Sequence, residues 1–121
     1  MDVDEQTSAA NGAAPGGLRS EVNFDQLPYP SLPVDYSQPP HLAAMAIMFG
    51  LTVSRIANAR VLELGCASGG NIIPLAARFP DGSFVGIDLS QRHVDEGRRR
   101  AAQLGLSNVE IRHGDLAQAS F

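Results

Sequence analysis

The sequence has 121 residues, of which 44% are hydrophobic and 18% are charged, as in an ordinary single globular domain. Its formal net charge of -4 offers no general electrostatic attraction to nucleic acid or to an anionic membrane surface. A single cysteine excludes an internal disulfide. The N-terminus is acidic, and no apolar stretch approaches the ~20 residues that span a bilayer. The sequence therefore predicts a cytoplasmic protein without a membrane or nucleic-acid partner.

The first part of the chain divides into a tail and an arm. Residues 1–22 contain few large apolar side chains, so we predict a disordered tail. Residues 23–58 are predicted to form a Pro-rich arm and a helix, because five prolines between Phe24 and Pro40 fix φ and remove backbone donors. The large apolar side chains of the arm are expected to pack on a surface; they are Leu27, Tyr29, Leu32 and Tyr36.

A short helix is predicted directly after the arm. Pro39 and Pro40 suit its first turn, and Gly50 suits its end. Apolar residues recur at the helical spacing i, i+3, i+4 and i+7, as Leu42, Met45, Ala46 and Phe49. Because this spacing is typical of a buried face, we expect the stripe to pack in the core.

Residues 59–121 alternate between strand and helix patterns. The predicted strands are RVLELG, SFVGID and VEIRHGD, and the predicted helices are NIIPLAARF and a segment from its cap at Ser90 through Leu104, with Gly105 as the C-cap. One face of the second helix is expected to hold Val94, Gly97, Ala101 and Leu104, with Arg98–Arg100 in solvent. The order predicts an α/β, Rossmann-like parallel sheet with strand order 3-2-1, of which only the first βαβαβ half is present.

The main candidate site lies where the first strand turns into a helix, at Glu63-Leu-Gly65-Cys66-Ala67-Ser68-Gly69-Gly70-Asn71. A glycine turn there presents backbone N–H groups to a ligand, and this feature alone suits a mononucleotide, a dinucleotide or S-adenosylmethionine. Glu63 would repel a pyrophosphate but suits the cationic methionine end of S-adenosylmethionine. Ala67 also stands where the dinucleotide motif has glycine. The alternative for Glu63 is an exposed strand-end charge.

Two further acidic residues end strands. Asp88, followed by Leu89, ends the second strand, where a carboxylate can accept hydrogen bonds from ribose hydroxyls. Its alternative is a helix N-terminal charge. Gly114 and Asp115 end the third strand, beside the second, where a carboxylate can accept from an adenine amino group. A turn with an Asx cap is the alternative there.

Other reactive side chains indicate no further site. Cys66 is interpreted as a small loop residue and not as a nucleophile. His41, His93 and His113 are too dispersed for a metal motif, so no metal is expected.

The segment VLELGCASGGNIIPLAARFPDGSFVGIDLS resembles motifs I and II of class I S-adenosylmethionine-dependent methyltransferases, and IRHGDL resembles the motif that follows. This resemblance covers residues 60–116, about half of the chain. The PYPSLP arm and the LAAMAIMFGL helix are similar to a bacterial group of methyltransferases that carry a methyltransferase regulatory domain and include protein-lysine methyltransferases.

The resemblance implies S-adenosyl-L-methionine as cofactor, with Glu63, Gly65 and Gly69 at its methionine end, Asp88 at the ribose and Gly114 with Asp115 at the adenine. Ala67 replaces the usual middle glycine and adds only a methyl group. The residues expected at the cofactor are Glu63, Gly65, Cys66, Ala67, Gly69, Asn71, Asp88, Leu89, Gly114 and Asp115.

Family members continue through a fourth strand that holds residues facing the acceptor. Residues 59–121 are therefore expected to be the cofactor-binding half of a truncated domain. Because the first strand would keep an unpaired apolar edge, the 121-residue chain alone is expected to be inactive and poorly soluble or molten. The resemblance names no catalytic residue, and the methyl acceptor would be a protein or a small molecule. The alternatives are an NAD-dependent oxidoreductase and a non-catalytic, truncated cofactor-binding module.

Overall fold

The computed structural model describes residues 30–117. The predicted tail, and Leu27 and Tyr29 of the arm, lie outside the described residues. Within them the elements in chain order are α1 (Pro39–Met48), β1 (Arg60–Leu64), α2 (Ile72–Arg78), β2 (Ser83–Asp88), α3 (Gln91–Gln103) and β3 (Val109–His113), with short 3₁₀ turns at Asp35–Ser37 and Ile56–Asn58.

The three strands form one parallel sheet with β2 in the middle. Its register places Glu63 beside Gly86 and Asp88 beside His113. The predicted α/β class and the strand order 3-2-1 are confirmed. Because all strands run the same way, their carboxyl ends meet at one edge of the sheet, and the candidate site residues follow those ends.

The core lies between one face of the sheet and the helices α2 and α3, which also contact each other. Gly86 has to be glycine, since a Cβ there would stand 2.7 Å from the Cys66 sulfur. The largest fully buried side chains are Phe84, Ile72, Leu75, Ile111 and Val94.

The opposite face of the sheet is open in the described part of the chain. Leu62 and Leu64 of β1 are half exposed there. Leu62 lines a shallow depression with Val85, Ile87 and Arg112, whose guanidinium pairs with Glu110 at 2.6 Å. The sheet therefore has one packed face and one mainly apolar, accessible face.

Both long helices begin and end at residues that the sequence indicates. The Ser90 hydroxyl accepts the His93 N–H at 3.2 Å and caps α3. Gly105 follows α3 with φ +65°, and the Leu106 N–H returns to the Ala101 carbonyl at 3.1 Å. Gly50 ends α1 in the same way, with φ +75°. The predicted capping residues are confirmed.

The expectation that the apolar stripe of α1 packs in the core is wrong for the described structure. α1 has no buried residue, and Phe49 is 76% exposed. Apolar side chains occur all round this helix, while α2 and α3 already fill the covered face of the sheet, so the main contacts of α1 with other elements are those with the two 3₁₀ turns. No helix within residues 30–117 has the length and apolarity that crossing a membrane requires.

Leu104 also differs from the sequence-based expectation. Helical spacing predicts it on the buried face of α3, but it is the C-cap residue and is 62% exposed. The left-handed turn at Gly105 redirects the chain, and Leu106 packs against the core in its place.

The arginines of α3 are exposed, as expected, and two of them also donate hydrogen bonds to other parts of the chain. Arg98 Nε donates to the Ile111 carbonyl at 2.8 Å, which supports β3. Arg100 Nη1 donates to the Ser68 hydroxyl at 3.1 Å, which supports the loop after β1.

One side chain joins three parts of the fold at the end of the sheet far from the candidate site. The Asn108 amide nitrogen, just before β3, lies 3.0 Å from the Ala76 carbonyl and 3.1 Å from the Phe79 carbonyl, at the end of α2. It also lies 3.3 Å from the Gly82 carbonyl, in the turn that leads to β2. Asn108 thus supplies a donor to the Ala76 carbonyl, which the end of α2 leaves unpaired, and adds to the Gly82 N–H that already pairs with the Phe79 carbonyl.

The core position of Ile111 can be tested against a matched exposed isoleucine. Ile111 is 2% exposed between Gly69, Gly86 and Gly97, whereas Ile47 on α1 is 60% exposed. We expect Ile111→Ala to lower the free energy of unfolding by about 2–5 kcal/mol, because it removes buried methyl groups and leaves a cavity. Ile47→Ala is expected to change it by less than about 0.5 kcal/mol. Urea unfolding measures both, and equal losses would contradict the assigned core.

Candidate cofactor-binding site

The site is built on a left-handed turn that follows β1. Gly65 and Gly69 have φ values of +74° and +78°, a region that glycine enters without steric cost. The N–H groups of Gly65 and Cys66 both donate to the Ile87 carbonyl, at 2.8 and 3.1 Å. The turn therefore folds across the end of β2 before α2 begins.

Ala67 adopts a left-handed conformation that the sequence does not reveal. Its φ of +47° costs an L residue roughly 1–2 kcal/mol relative to glycine. In this conformation the Ala67 N–H donates to Asp88 Oδ2 at 2.8 Å, a hydrogen bond to a charged group that offsets the strain. The replacement of glycine at this position therefore does more than add a methyl group.

The second half of the turn lies against the arm. The Gly70 N–H donates to the Ser31 hydroxyl at 2.7 Å, and a Cβ on Gly70 would stand 2.0 Å from the Ser31 carbonyl oxygen. The expectation that Leu32 and Tyr36 pack on a surface is wrong, since both are exposed. The arm is held by polar contacts to the turn instead.

Asn71 connects the arm to the carboxylate of β1. Its side chain is buried, and its Oδ1 accepts the Val34 N–H at 2.8 Å. Its Nδ2 lies 3.1 Å from the Ser37 hydroxyl. Asn71 also hydrogen-bonds to the Glu63 side chain, and this bond acts to lower the pKa of Glu63.

Glu63 lies on β1, two residues before Gly65, and it is half-buried. Its Oε2 atom is fully buried and has no hydrogen-bond partner among the described residues. Loss of solvation raises the pKa of Glu63, and the bond from Asn71 opposes that rise only in part. A buried carboxylate oxygen without a donor is the group that a cationic ligand would stabilise most.

Asp88 ends β2 in a different environment. Its Oδ2 accepts the Ala67 N–H and its Oδ1 accepts the Ser90 N–H at 2.9 Å. His93 approaches the same Oδ1 to 3.7 Å. Each oxygen accepts one backbone N–H and retains a lone pair for a ligand hydroxyl. The next residue, Leu89, is half exposed at the same edge of the sheet.

Gly114 lies at the end of β2, as the strand order predicts, and Asp115 follows it. The Gly114 N–H donates to the Asp88 carbonyl at 3.0 Å. Asp115 Oδ1 accepts the Ala117 N–H at 2.9 Å, which is the Asx turn considered as the alternative. His113 Nε2 lies 2.9 Å from the Leu89 carbonyl and joins the two strand ends.

Cys66 lies in the turn, but its side chain enters the core. It is 3% exposed and its sulfur faces Gly86. Burial, followed by the negative charges of Asp88 and Glu63, raises the pKa of the Cys66 thiol to about 12. The thiol is therefore neutral at physiological pH and cannot act as a nucleophile.

The predicted residues thus fall into groups. The turn, Glu63, Asp88, Leu89 and Gly114 share one edge of the sheet, whereas the side chain of Cys66 is directed into the core and that of Asn71 towards the arm. Ser31, Ser37 and His93 also contact the turn or residues of this set, although the sequence-based prediction does not include them. The arm has no periodicity to indicate its serines, but His93, in the first turn of a helix capped by Ser90, could have been found. Within residues 30–117 no three His, Cys, Asp or Glu side chains form a group suited to a metal.

A family model described as methyltransferase domain matches residues 61–121, half of the chain. With the parallel sheet and the turn after β1, this match places the chain among the Rossmann-like, class I S-adenosylmethionine-dependent methyltransferases and decides against an NAD-dependent oxidoreductase. The chain belongs to the methyltransferase-domain family.

Individual relatives agree with this assignment. The chain is 39% identical over 111 residues to the uncharacterized protein RP789 of Rickettsia prowazekii, a match that covers 92% of this chain and 20% of that one. It is 39% identical over 56 residues to a tRNA (guanine-N(7)-)-methyltransferase of Porphyromonas gingivalis, covering 46% and 23% of the two chains.

Among solved structures, PKMT2 from Rickettsia typhi in complex with AdoHcy is similar, with a TM-score of 0.73 and 29% identity over 78% of this chain and 18% of that one. The narrower resemblance, to a group that includes protein-lysine methyltransferases, fits this likeness. The chain spans about a fifth of the length of these relatives.

The burial of Cys66 predicts its reactivity. With a pKa of about 12, on the order of one thiol in ten thousand is ionised at pH 8, and the sulfur is shielded. We expect an aromatic disulfide reagent that releases a coloured thiolate to detect no thiol in the folded protein. After unfolding in urea it should detect one thiol per chain. Rapid reaction of the folded protein would show that the turn opens or that the sulfur lies outside the core.

Glu63 predicts a pH dependence of stability. Because burial raises its pKa above the ordinary value of 4.5, the folded protein keeps a proton that the unfolded chain releases at pH 4.5. Stability therefore falls as the pH rises from 4.5 to the folded-state pKa. Glu63→Gln removes this titration, so the variant is expected to gain stability over the parent across that range and to keep the gain at higher pH.

Urea unfolding at a series of pH values measures this difference, and Glu110→Gln is the matched control. The ion pair with Arg112 lowers the pKa of Glu110, so its variant should lose stability relative to the parent as the pH rises. If the difference in unfolding free energy between Glu63→Gln and the parent does not change with pH, the pKa of Glu63 is not raised by burial.

Proposed function

We propose that this chain supplies the cofactor-binding part of an S-adenosylmethionine-dependent methyltransferase. The observation that carries the proposal is the buried Oε2 of Glu63, which has no hydrogen-bond partner within residues 30–117, beside a left-handed glycine turn. Such an oxygen suits the α-ammonium group of the methionine moiety, and the glycines leave room for ligand atoms close to the backbone. A pyrophosphate would be repelled by the same carboxylate.

The other residues are proposed to contact the ribose and the adenine of the ligand. Asp88 would accept hydrogen bonds from the ribose hydroxyls with lone pairs that its backbone donors leave available. Leu89 would contact the adenine through its exposed side chain, and Gly114 with Asp115 would border it. The proposed set is that of the sequence analysis: Glu63, Gly65, Cys66, Ala67, Gly69, Asn71, Asp88, Leu89, Gly114 and Asp115. Within this set, Cys66 would contribute its backbone only.

When bound, S-adenosylmethionine would supply an electrophilic sulfonium methyl group for a nucleophile of the acceptor, with the thioether AdoHcy as the leaving group. The residues of this chain bind and orient; none of them is proposed as a catalytic acid or base. Their contribution is positional, since holding two reactants in line supplies a large part of the rate of such a transfer.

The acceptor is proposed to be a protein or a small molecule. The net charge of -4 gives nucleic acid no general attraction. The match to the tRNA methyltransferase of Porphyromonas gingivalis covers only 46% of the chain, whereas the matches to RP789 and PKMT2 cover 92% and 78%. We further propose a cytoplasmic location, and a cofactor-binding region at residues 59–121 preceded by the arm and helix of residues 23–58 and the tail of residues 1–22.

Asp88→Ala tests the site. It removes charge-assisted hydrogen bonds to both ribose hydroxyls, so AdoHcy binding is expected to weaken by about 2–4 kcal/mol in calorimetry. Because Asp88 also accepts the N–H groups of Ala67 and Ser90, thermal unfolding must show that the variant remains folded. Asp95→Ala, an exposed change on α3, is the control and should bind within twofold of the parent.

Two outcomes would refute the proposal. A folded parent protein that binds neither S-adenosylmethionine nor AdoHcy would remove the function, and a larger thermal shift with NAD than with AdoHcy would replace it with a dinucleotide site. An Asp88→Ala variant with unchanged affinity would remove that residue from the site.

A further inference from the structure

The Asn71 side chain has little hydrogen-bonding capacity left for a ligand. It is 7% exposed. A carboxamide offers two N–H donors and one oxygen acceptor. Here the oxygen accepts from Val34, one N–H faces the Ser37 hydroxyl, and the side chain also bonds to Glu63. The side chain of Asn71 therefore touches the arm on one side and the proposed ammonium-binding carboxylate on the other.

The arm depends on these polar contacts. Its apolar residues Leu32 and Tyr36 are exposed, so they contribute little to docking. The remaining described attachment to the turn is at Ser31, which receives the Gly70 N–H and covers its Cα. A segment held by so few contacts is expected to open locally at a low free-energy cost.

From this arrangement we infer that Asn71 is a positioning residue that couples docking of the arm to the orientation of the Glu63 carboxylate. With the arm docked, Val34 and Ser37 fix the carboxamide, and the carboxamide fixes one side of Glu63 while Oε2 stays open to the ligand. When the arm leaves, Asn71 loses two of its three partners and Glu63 loses its orientation. The inference rests on the proposed function.

Thermodynamic reciprocity gives the inference a measurable consequence. If a docked arm favours cofactor binding, a bound cofactor must stabilise the docked arm to the same extent. Backbone amides of the arm and the turn report this directly, because the Val34 and Gly70 N–H groups are the ones that the contacts protect.

The experiment measures AdoHcy affinity by calorimetry and amide hydrogen exchange with and without AdoHcy. For the parent we expect slower exchange at Val34 and Gly70 when AdoHcy is present. For Asn71→Ala we expect affinity to fall about tenfold to a hundredfold, since a hydrogen bond to a charged group is lost. The ligand-dependent protection at Val34 should disappear with it.

Ser37 supplies the matched variants. Ser37→Ala should weaken binding about threefold to tenfold, as expected for one neutral hydrogen bond, and Ser37→Thr should restore it because the hydroxyl is kept. Ser54→Ala is the control: Ser54 is exposed and lies outside these contacts, so its affinity should stay within twofold of the parent. If Asn71→Ala does not fold, the affinities of the Ser37 variants and the amide hydrogen exchange of the parent test the inference instead.

Failure of the inference can be told apart from failure of the proposed function. A parent that does not bind AdoHcy overturns the function. A parent that binds AdoHcy without any change in exchange at Val34, or with Asn71→Ala and Ser37→Ala affinities equal to that of Ser54→Ala, overturns the coupling and leaves the function in place.

Discussion

The structure depends on a backbone reversal at the carboxyl end of β1. Left-handed residues at Gly65, Ala67 and Gly69 turn the chain so that two successive N–H groups meet the Ile87 carbonyl. This single conformation sets the start of α2 and brings the Ala67 N–H to Asp88. It also places Gly70, which has no Cβ, where Ser31 of the arm can approach its backbone closely. A turn with ordinary negative φ values would lose these three contacts together.

Two carboxylates stand near this turn, and the protein treats them differently. After burial, the negative charges of Asp88 and Glu63 both raise the pKa of the Cys66 thiol in this turn. Asp88 receives backbone N–H groups on both oxygens, whereas Glu63 keeps one buried oxygen that receives no donor from the described part of the chain. The region is therefore unevenly compensated, and a positive group gains most at Glu63. This asymmetry gives a ligand that is cationic at one end a single favourable direction of binding.

The features that sequence predicts here are those encoded in neighbouring residues. Short apolar runs identified the strands, Ser90 and Gly105 identified the ends of α3, and chain order alone placed Gly114 beside Asp88. The exposure of α1 could not be predicted, because its apolar residues are the same whether or not α2 and α3 already cover the face of the sheet. Nor could the docking of the arm, since Ser31 and Val34 make contacts about forty residues along the chain that no local pattern records.

The position of Asn108 bears on how the fold is assembled. Its amide reaches back 32 residues to Ala76 and 29 residues to Phe79, and its own carbonyl accepts the Phe84 N–H. The corner between α2 and β2 therefore remains incomplete until the chain has been ordered as far as β3. A strand-helix-strand unit ending at β2 would carry unpaired carbonyls at this corner, and closing the loop to Asn108 is a long-range event with an entropic cost. Folding of this region is consequently expected to be concerted across all three strands and not to proceed unit by unit along the chain.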